Sequence, residues 1–287
     1  MYKFGVIGPG AVGSVIGESL QNSGYHVTFL GRKKGEVHIE RVDKPENTTY
    51  PIEAIFETET VFDYLFIAVK GTQLEGVIPS LDKLTHENTV CVLCQNGYGQ
   101  LDKFQIPGEV YQAVVYISGQ KKGDFVTHFR DRTLILPENR VTKKLKEEMA
   151  ASNLDIQLRA DYRKEVWYKL IVNVAINSVT ALSRNTAFIL QEKKIQNLCK
   201  KLIQEGVEIA AAEGVYFQEK ITEEIMQIYA GYPSQMGTSM YYDMINGQAM
   251  EVDYIQGFLY EKSREHDLGT PCLDTVYSLL LASEMKD

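Results

Sequence analysis

The chain opens Lys3-Phe-Gly-Val-Ile-Gly-Pro-Gly-Ala-Val-Gly-Ser14, and this stretch decides the fold. A short apolar strand runs into Gly8-x-Gly10-x-x-Gly13, and a helical stretch follows from Ala11 to Asn22. Strand, glycine turn and helix stand in the order that a dinucleotide-binding βαβ unit requires. Gly8 permits the tight turn, Gly10 lets the backbone approach a pyrophosphate, and Gly13 allows the helix to pack closely on the strand. The start of the helix, at Ala11, Val12 and Gly13, offers the pyrophosphate N–H groups and a positive dipole end. A second strand, His26-Val-Thr-Phe-Leu30, completes the reading.

The end of that second strand selects the cofactor. About twenty residues past the fingerprint, an NAD-binding unit carries Asp or Glu for the ribose hydroxyls. Here the sequence is Gly31-Arg32-Lys33-Lys34. An acid would repel a 2′-phosphate, whereas an arginine fork binds it through charge-assisted hydrogen bonds. The expected cofactor is NADP(H), with Arg32 as the main contact and Lys33 or Lys34 assisting.

The 287 residues are enough for two domains, each with its own core. A net charge of −8 argues against a nucleic-acid or membrane-surface role. No run of apolar residues approaches the length of a membrane span, and the start has no basic-plus-apolar signal region. The four cysteines suit a reducing compartment, which points to the cytoplasm. Cys91 and Cys94 sit in an apparent strand whose alternation sends them to opposite faces, as buried thiols. The five histidines show no metal-ligand pairing.

Along the first half, strands alternate with helices. Tyr64-Leu-Phe-Ile-Ala-Val69 is a continuous apolar run, as expected of a parallel strand buried on both faces. It ends in Lys70-Gly71, with a helical segment to about Leu81, and the next strand ends in Gln95-Asn96-Gly97. Both endings should lie at the carboxyl edge of the sheet, where ligands bind. Tyr111 to Ser118, Phe125 to Arg130 and Thr133 to Leu136 read as three strands, with Lys121-Lys-Gly-Asp124 as a turn. The stretch from Gly35 to Pro51 is short and polar. A helix from about Val141 and a strand near Ile156 close this half, and the remainder is helical. The expected domains are residues 1–160 and residues 161–287.

The second domain should begin with an apolar helix carrying one polar stripe, Glu165-Val-Trp-Tyr-Lys-Leu-Ile-Val-Asn-Val-Ala-Ile-Asn177. Lys169, Asn173 and Asn177 are four apart, so they lie within roughly 80° of one another in a row about 12 Å long. On a helix apolar nearly all round, they need buried polar partners or a water-lined cleft. A second cluster is Gly247-Gln-Ala-Met-Glu251-Val-Asp-Tyr-Ile-Gln-Gly257. Glu251 and Asp253 should fall in the first turn of a helix running to Arg264, where acids also stabilise the helix dipole. Upstream, Gly237-Thr-Ser239 carries hydroxyls that suit helix caps.

Taken together, these motifs resemble the ketopantoate reductases (2-dehydropantoate 2-reductases), over essentially the whole chain. The resemblance rests on Gly8-x-Gly10-x-x-Gly13, Lys70, Asn96-Gly97, Trp167-x-Lys169-Leu-x-x-Asn173-x-x-x-Asn177, Thr238-Ser239-Met240 and Glu251-x-Asp253-Tyr254-Ile255-x-Gly257. It implies a Rossmann-type α/β domain followed by an all-α domain, with the active site in the cleft between them. It also implies Lys169 as general acid and Glu251 as its partner at the substrate hydroxyl. Asn96, Asn173, Asn177 and Ser239 would orient the substrate, with Lys70 and Asn96 also at the cofactor. Phe129-Arg-Asp-Arg132 departs from the family, where smaller, glycine-containing sequence is usual.

The residue types suit the chemistry. Reducing a 2-keto acid moves a hydride to the carbonyl carbon while a proton goes to the developing alkoxide. A protonated lysine stabilises that charge and delivers the proton. Glu251 either keeps Lys169 charged or hydrogen-bonds the substrate hydroxyl. The expected activity is NADPH-dependent reduction of 2-dehydropantoate to pantoate in pantothenate biosynthesis. The alternatives are a paralogue acting on another branched 2-keto acid, or a non-catalytic NADP(H)-sensing protein. The expected partner is a small 2-keto acid, with neither nucleic acid nor membrane, and a homodimer stays open.

Overall fold

Strand β1 (Phe4–Ile7) is buried along its whole length because it runs through the middle of a sheet covered on both faces. The computed structural model describes residues 2–42 and 44–285. It divides into two compact units, Met1–Asn96 with Gln100–Tyr162, and Gly97–Gly99 with Arg163–Asp287.

In the first unit β1 leads to α1 (Ala11–Gln21), β2 (Val27–Gly31), the hairpin of β3 (Gly35–Arg41) and β4 (Lys44–Ala54), and β5 (Tyr64–Ile67). After a 3₁₀ turn at Gly71–Gly76 come α2 (Ile78–Leu84), β6 (Val90–Leu93) and β7 (Glu109–Gln112). The hairpin of β8 (Val114–Lys122) and β9 (Phe125–Pro137), then α3 (Arg140–Glu148) and β10 (Asp155–Arg159), complete it. The strands form one mixed sheet in the order β10-β9-β3-β4-β2-β1-β5-β6-β7, with β8 paired to β9. From β4 through β7 the pairing is parallel. The carboxyl ends of β2, β1, β5 and β6 therefore open on one edge.

On one face Phe4, Val6, Phe29 and Phe66 join Ile16 and Leu20 of α1 in a single core. On the other, Ile7, Leu30, Leu65 and Ile67 join Leu74 and Leu81. The three-residue spacing in and just after β6 sends Cys91 into the second core and Cys94 into the first. Loss of hydration there pushes the Cys91 thiol up to about 12.

Two local expectations change, and one stretch that the sequence left unassigned takes a definite structure. The polar stretch from Gly35 to Pro51 is a hairpin, and β3 buries Val37 and Ile39 while leaving Glu36 exposed. Its alternation is carried by only two apolar side chains. Strand β9 is continuous over thirteen residues rather than two strands, with Asp131 in the left-handed region at φ 64° within it. Lys121 lies inside β8; the turn belongs to Gly123, at φ 61°.

The second unit takes α4 (Tyr162–Ser183) from Arg163 on, with α5 (Lys193–Ala212), α6 (Ile221–Ala230), α7 (Ser239–Ile245), α8 (Phe258–Glu265) and α9 (Pro271–Glu284). Trp167, Ile171, Val174 and Ala175 of α4 join Ile203, Ile225, Leu259 and Leu280 in its core. By length and composition α4 reaches the level of a membrane span, contrary to the sequence reading. Yet 78% of its most apolar window is buried in protein, so it is a core helix.

Helix α9 starts at Pro271, and Thr270 before it makes no side-chain cap. Its free N–H groups are met from a distance by buried Glu205, whose carboxylate oxygens accept from Cys272 at 2.9 Å and Leu273 at 2.7 Å. A carboxylate suits this place because the N-terminal dipole end is positive. Glu205→Ala strands both N–H groups. It should cost about 1.5–3 kcal/mol, read as a lower urea midpoint, with Glu205→Gln losing less.

Candidate functional site

In the first unit the site is built by the backbone before any side chain. Gly8, at φ 88°, donates its N–H to Leu30 O at 2.9 Å, and Gly10 N–H turns back to Gly8 O at 2.7 Å. A Cβ on Gly8 would sit 2.6 Å from the backbone nitrogen of Val69, and one on Gly13 would sit 2.3 Å from Gly8 O. Both positions therefore require glycine, and the approach they allow brings the ends of β2 and β5 against the turn. Gly10 is the N-cap of α1 and makes no side-chain cap. A Cβ there would meet nothing nearer than Gly8 O at 4.0 Å. The space before the helix is open, and no acid stands in its first turn. Ala11, Val12 and Gly13 point N–H groups without intrahelical acceptors toward it. This donor set and opening fit the pyrophosphate of a dinucleotide.

The other residues expected at the cofactor follow the carboxyl ends of β2, β5 and β6, on the same edge of the sheet as this turn. Arg32 and Lys33 follow β2 and are exposed, while Lys34 pairs with Glu57 at 2.7 Å. That pair raises the lysine pKa through its hydrogen bond to Glu57, and it commits Lys34 to a protein partner. Lys70, half-buried and extended, follows β5 and leads into the 3₁₀ turn. Asn96 lies three residues past β6. Its place depends on residues with no role in the sequence reading. Buried Gln95 donates to Ile67 O at 2.6 Å and Val69 O at 2.9 Å, tying the ends of β5 and β6 together. Gln100 donates to Asn96 O at 3.1 Å and accepts from Gln112 at 2.9 Å.

In the second unit the Lys169, Asn173 and Asn177 stripe runs along α4. Lys169 and Asn173 are half-buried, and Asn177 is only 4% exposed. One turn further, the Thr180 hydroxyl lies 2.8 Å from that of Thr238, both buried. Thr238 is the N-cap of α7 and accepts from Tyr241 N–H at 3.1 Å. Ser239, the first residue of α7 and exposed, is thus fastened beside the Asn177 end of the stripe. Gln256 adds a second tie, donating to Ser178 Oγ at 2.9 Å, with Met240 Sδ at 3.7 Å. Thr180 and Gln256 were invisible to the sequence reading because their partners lie 58 and 78 residues away.

Glu251 is 9% exposed and stands immediately before Val252, where the helix starts, rather than within its first turn. The next residues, Asp253–Gly257, form a π-helical turn, a feature often found at functional sites. Residues 97–99 cluster with this unit. Gly97 takes φ 83°, a Cβ there would lie 2.2 Å from Tyr254 O, and Tyr98 N–H donates to that same oxygen at 2.9 Å. Asn96 is therefore joined through one peptide bond to a segment hooked onto the π turn.

Comparison with known proteins covers both halves. Residues 4–138 match the family model for ketopantoate reductase PanE/ApbA, and residues 161–284 match that for its C-terminal region. A dimeric ketopantoate reductase from Staphylococcus aureus is similar in structure, with 46% identity over 98% of each chain and a TM-score of 0.95. A 2-dehydropantoate 2-reductase from Mycobacterium tuberculosis is 27% identical over 97% of this chain and 96% of its own. A D-mandelate dehydrogenase structure with NADH and anilino(oxo)acetate, 22% identical with a TM-score of 0.88, shares the fold.

The glycine turn gives a direct test. Gly13→Ala places a methyl group 2.3 Å from backbone Gly8 O, so the start of α1 must shift. NADPH affinity should fall by about tenfold or more, which is about 1.4 kcal/mol, measured by fluorescence titration. Gly24→Ala, whose Cβ meets nothing within 4 Å, is the control with a strained φ of 86° but an intact turn.

Proposed function

Because the chain belongs to the ketopantoate reductase family, an NADPH-dependent family of oxidoreductases, we propose that its substrate is 2-dehydropantoate, reduced to pantoate for pantothenate biosynthesis. The observation that carries this reading is the Lys169, Asn173 and Asn177 stripe with Ser239 pinned beside it through Thr180 and Thr238. A row of one cation and neutral hydrogen-bonding groups suits a 2-keto acid. The cation meets the charge that develops, and the amides and hydroxyl hold the rest without titrating.

In this reading the residues divide the work by chemistry. Gly8, Gly10, Ala11, Val12 and Gly13 hold the pyrophosphate, and Arg32 with Lys33 holds the 2′-phosphate, with Lys70 and Asn96 at the rest of the cofactor. When bound, the reduced nicotinamide supplies the hydride for C2 of the keto acid. Lys169 stabilises the negative oxygen as it forms and gives it a proton. Asn96, Asn173, Asn177 and Ser239 orient the carboxylate and hydroxyl. Glu251 is the acid partner of that group, engaging Lys169 or the substrate hydroxyl. The four free cysteines, three of them buried, support a reducing, cytoplasmic setting. The dimeric Staphylococcus aureus relative supports a homodimer.

Steady-state assays test each part. Losing a positioned general acid costs about 10²–10⁴ in rate, so Lys169→Ala should lose turnover on that scale while NADPH affinity is kept. Turnover surviving within a few-fold would move the proton donor elsewhere. Arg32→Ala should weaken NADPH by about ten- to a hundredfold and leave NADH nearly unchanged. For the substrate, a site that hydrogen-bonds the terminal hydroxyl of 2-dehydropantoate rejects an analogue lacking it. The kcat/KM for 2-dehydropantoate should exceed that for 2-ketoisovalerate by at least about tenfold. Equal values would leave a keto-acid reductase of another specificity.

A further inference from the structure

Lys121 reaches from β8 to the glycine turn. Its ammonium donates a hydrogen bond to Pro9 O at 2.8 Å, and Pro9 stands between Gly8 and the Gly10 N-cap of α1. The neighbouring strand backbone comes equally near. A Cβ on Gly119 would lie 3.6 Å from Ala11 O and 3.7 Å from Ala11 Cβ. Residues 119–121 of β8 therefore run beside the first turn of α1. We infer that Lys121 is a further cofactor-binding residue, whose ammonium meets the pyrophosphate of the dinucleotide at the amino terminus of α1.

Three observations support this assignment. An ammonium carries three N–H donors, and the bond to Pro9 O uses one, leaving two for an anion. The first turn of α1 holds no carboxylate, so the helix brings N–H groups but no countercharge of its own. Although the residue as a whole stays exposed, its charged end has lost hydration, which lowers its pKa against the opposing pull of Asp124. A phosphate arriving there would restore a partner to a partly desolvated cation. Lys121 differs in this from Arg32, which serves only the 2′-phosphate. A pyrophosphate contact is common to NADPH and NADH.

The assignment rests on the cofactor reading but is tested separately from it, by equilibrium titration without keto acid. The ligands are NADPH, NADH and adenosine 2′-monophosphate, and the proteins are wild type, Lys121→Ala, Lys121→Gln and Lys121→Arg. A charge-assisted contact near solvent predicts that the Ala and Gln variants bind NADPH and NADH each about tenfold more weakly, with adenosine 2′-monophosphate unchanged. Lys121→Arg should stay within about threefold of wild type for all three ligands. Wild-type affinity in Lys121→Gln would overturn the inference, because a neutral side chain would then serve as well as the cation. A loss shared by adenosine 2′-monophosphate would overturn it too, placing the contact at the 2′-phosphate. If Lys121→Ala is damaged in folding, the Gln and Arg pair still decides. Failure of wild type to bind either dinucleotide would instead strike the cofactor reading beneath it.

Discussion

The close approach of backbone at Gly8 and Gly13 is the constraint on which the first unit depends. With Gly8 at φ 88° and no Cβ at either position, β1 can end, turn and start α1 within three residues. The same turn receives a hydrogen bond partner from β2 at Leu30 O and packs against Val69 beyond β5. Helix position, strand spacing and the opening before Gly10 are thus consequences of one backbone conformation. A side chain at Gly13 would disturb all of them together. The turn that sets the fold is therefore the same one that the proposed function assigns to the cofactor.

The second unit solves the opposite problem, keeping polar side chains within an apolar core. Helix α4 buries Trp167, Ile171 and Ala175 yet carries Lys169, Asn173 and Asn177. Unpaired polar groups would destabilise such a core, so neighbouring polar atoms are paired closely: Thr180 with Thr238, Gln256 with Ser178, and Tyr229 with Val172 O at 2.5 Å. These bonds also fix where α7 begins, and with it Ser239.

Much of this was legible in the sequence, and the reasons are local. The glycine spacing, the unbroken apolar runs of β5 and β6, and the helical period around Lys169 each impose their structure over a few residues. The β3 and β4 hairpin was not legible, because Val37 and Ile39 are the buried apolar side chains of β3 and its other neighbour in the sheet is β9, far along the chain. The π turn at Asp253–Gly257 has no residue signature. Lys121 looked like a turn residue until β8 proved to extend through Lys122. Gln95, Thr180 and Gln256 act through partners remote in sequence. The motif residues could thus be read, but the side chains that hold them in place could not.

On the proposed function, this chain transfers a hydride from NADPH to C2 of 2-dehydropantoate. The most direct measurement uses NADPH carrying deuterium at C4 of the nicotinamide, on each face in turn, with mass spectrometry of the pantoate formed by the wild-type protein. The account predicts that label from one face only reaches C2 of the product, with NADPH consumed in equal amount. Unlabelled pantoate from both cofactors, or no consumption of NADPH in the presence of 2-dehydropantoate, would contradict it.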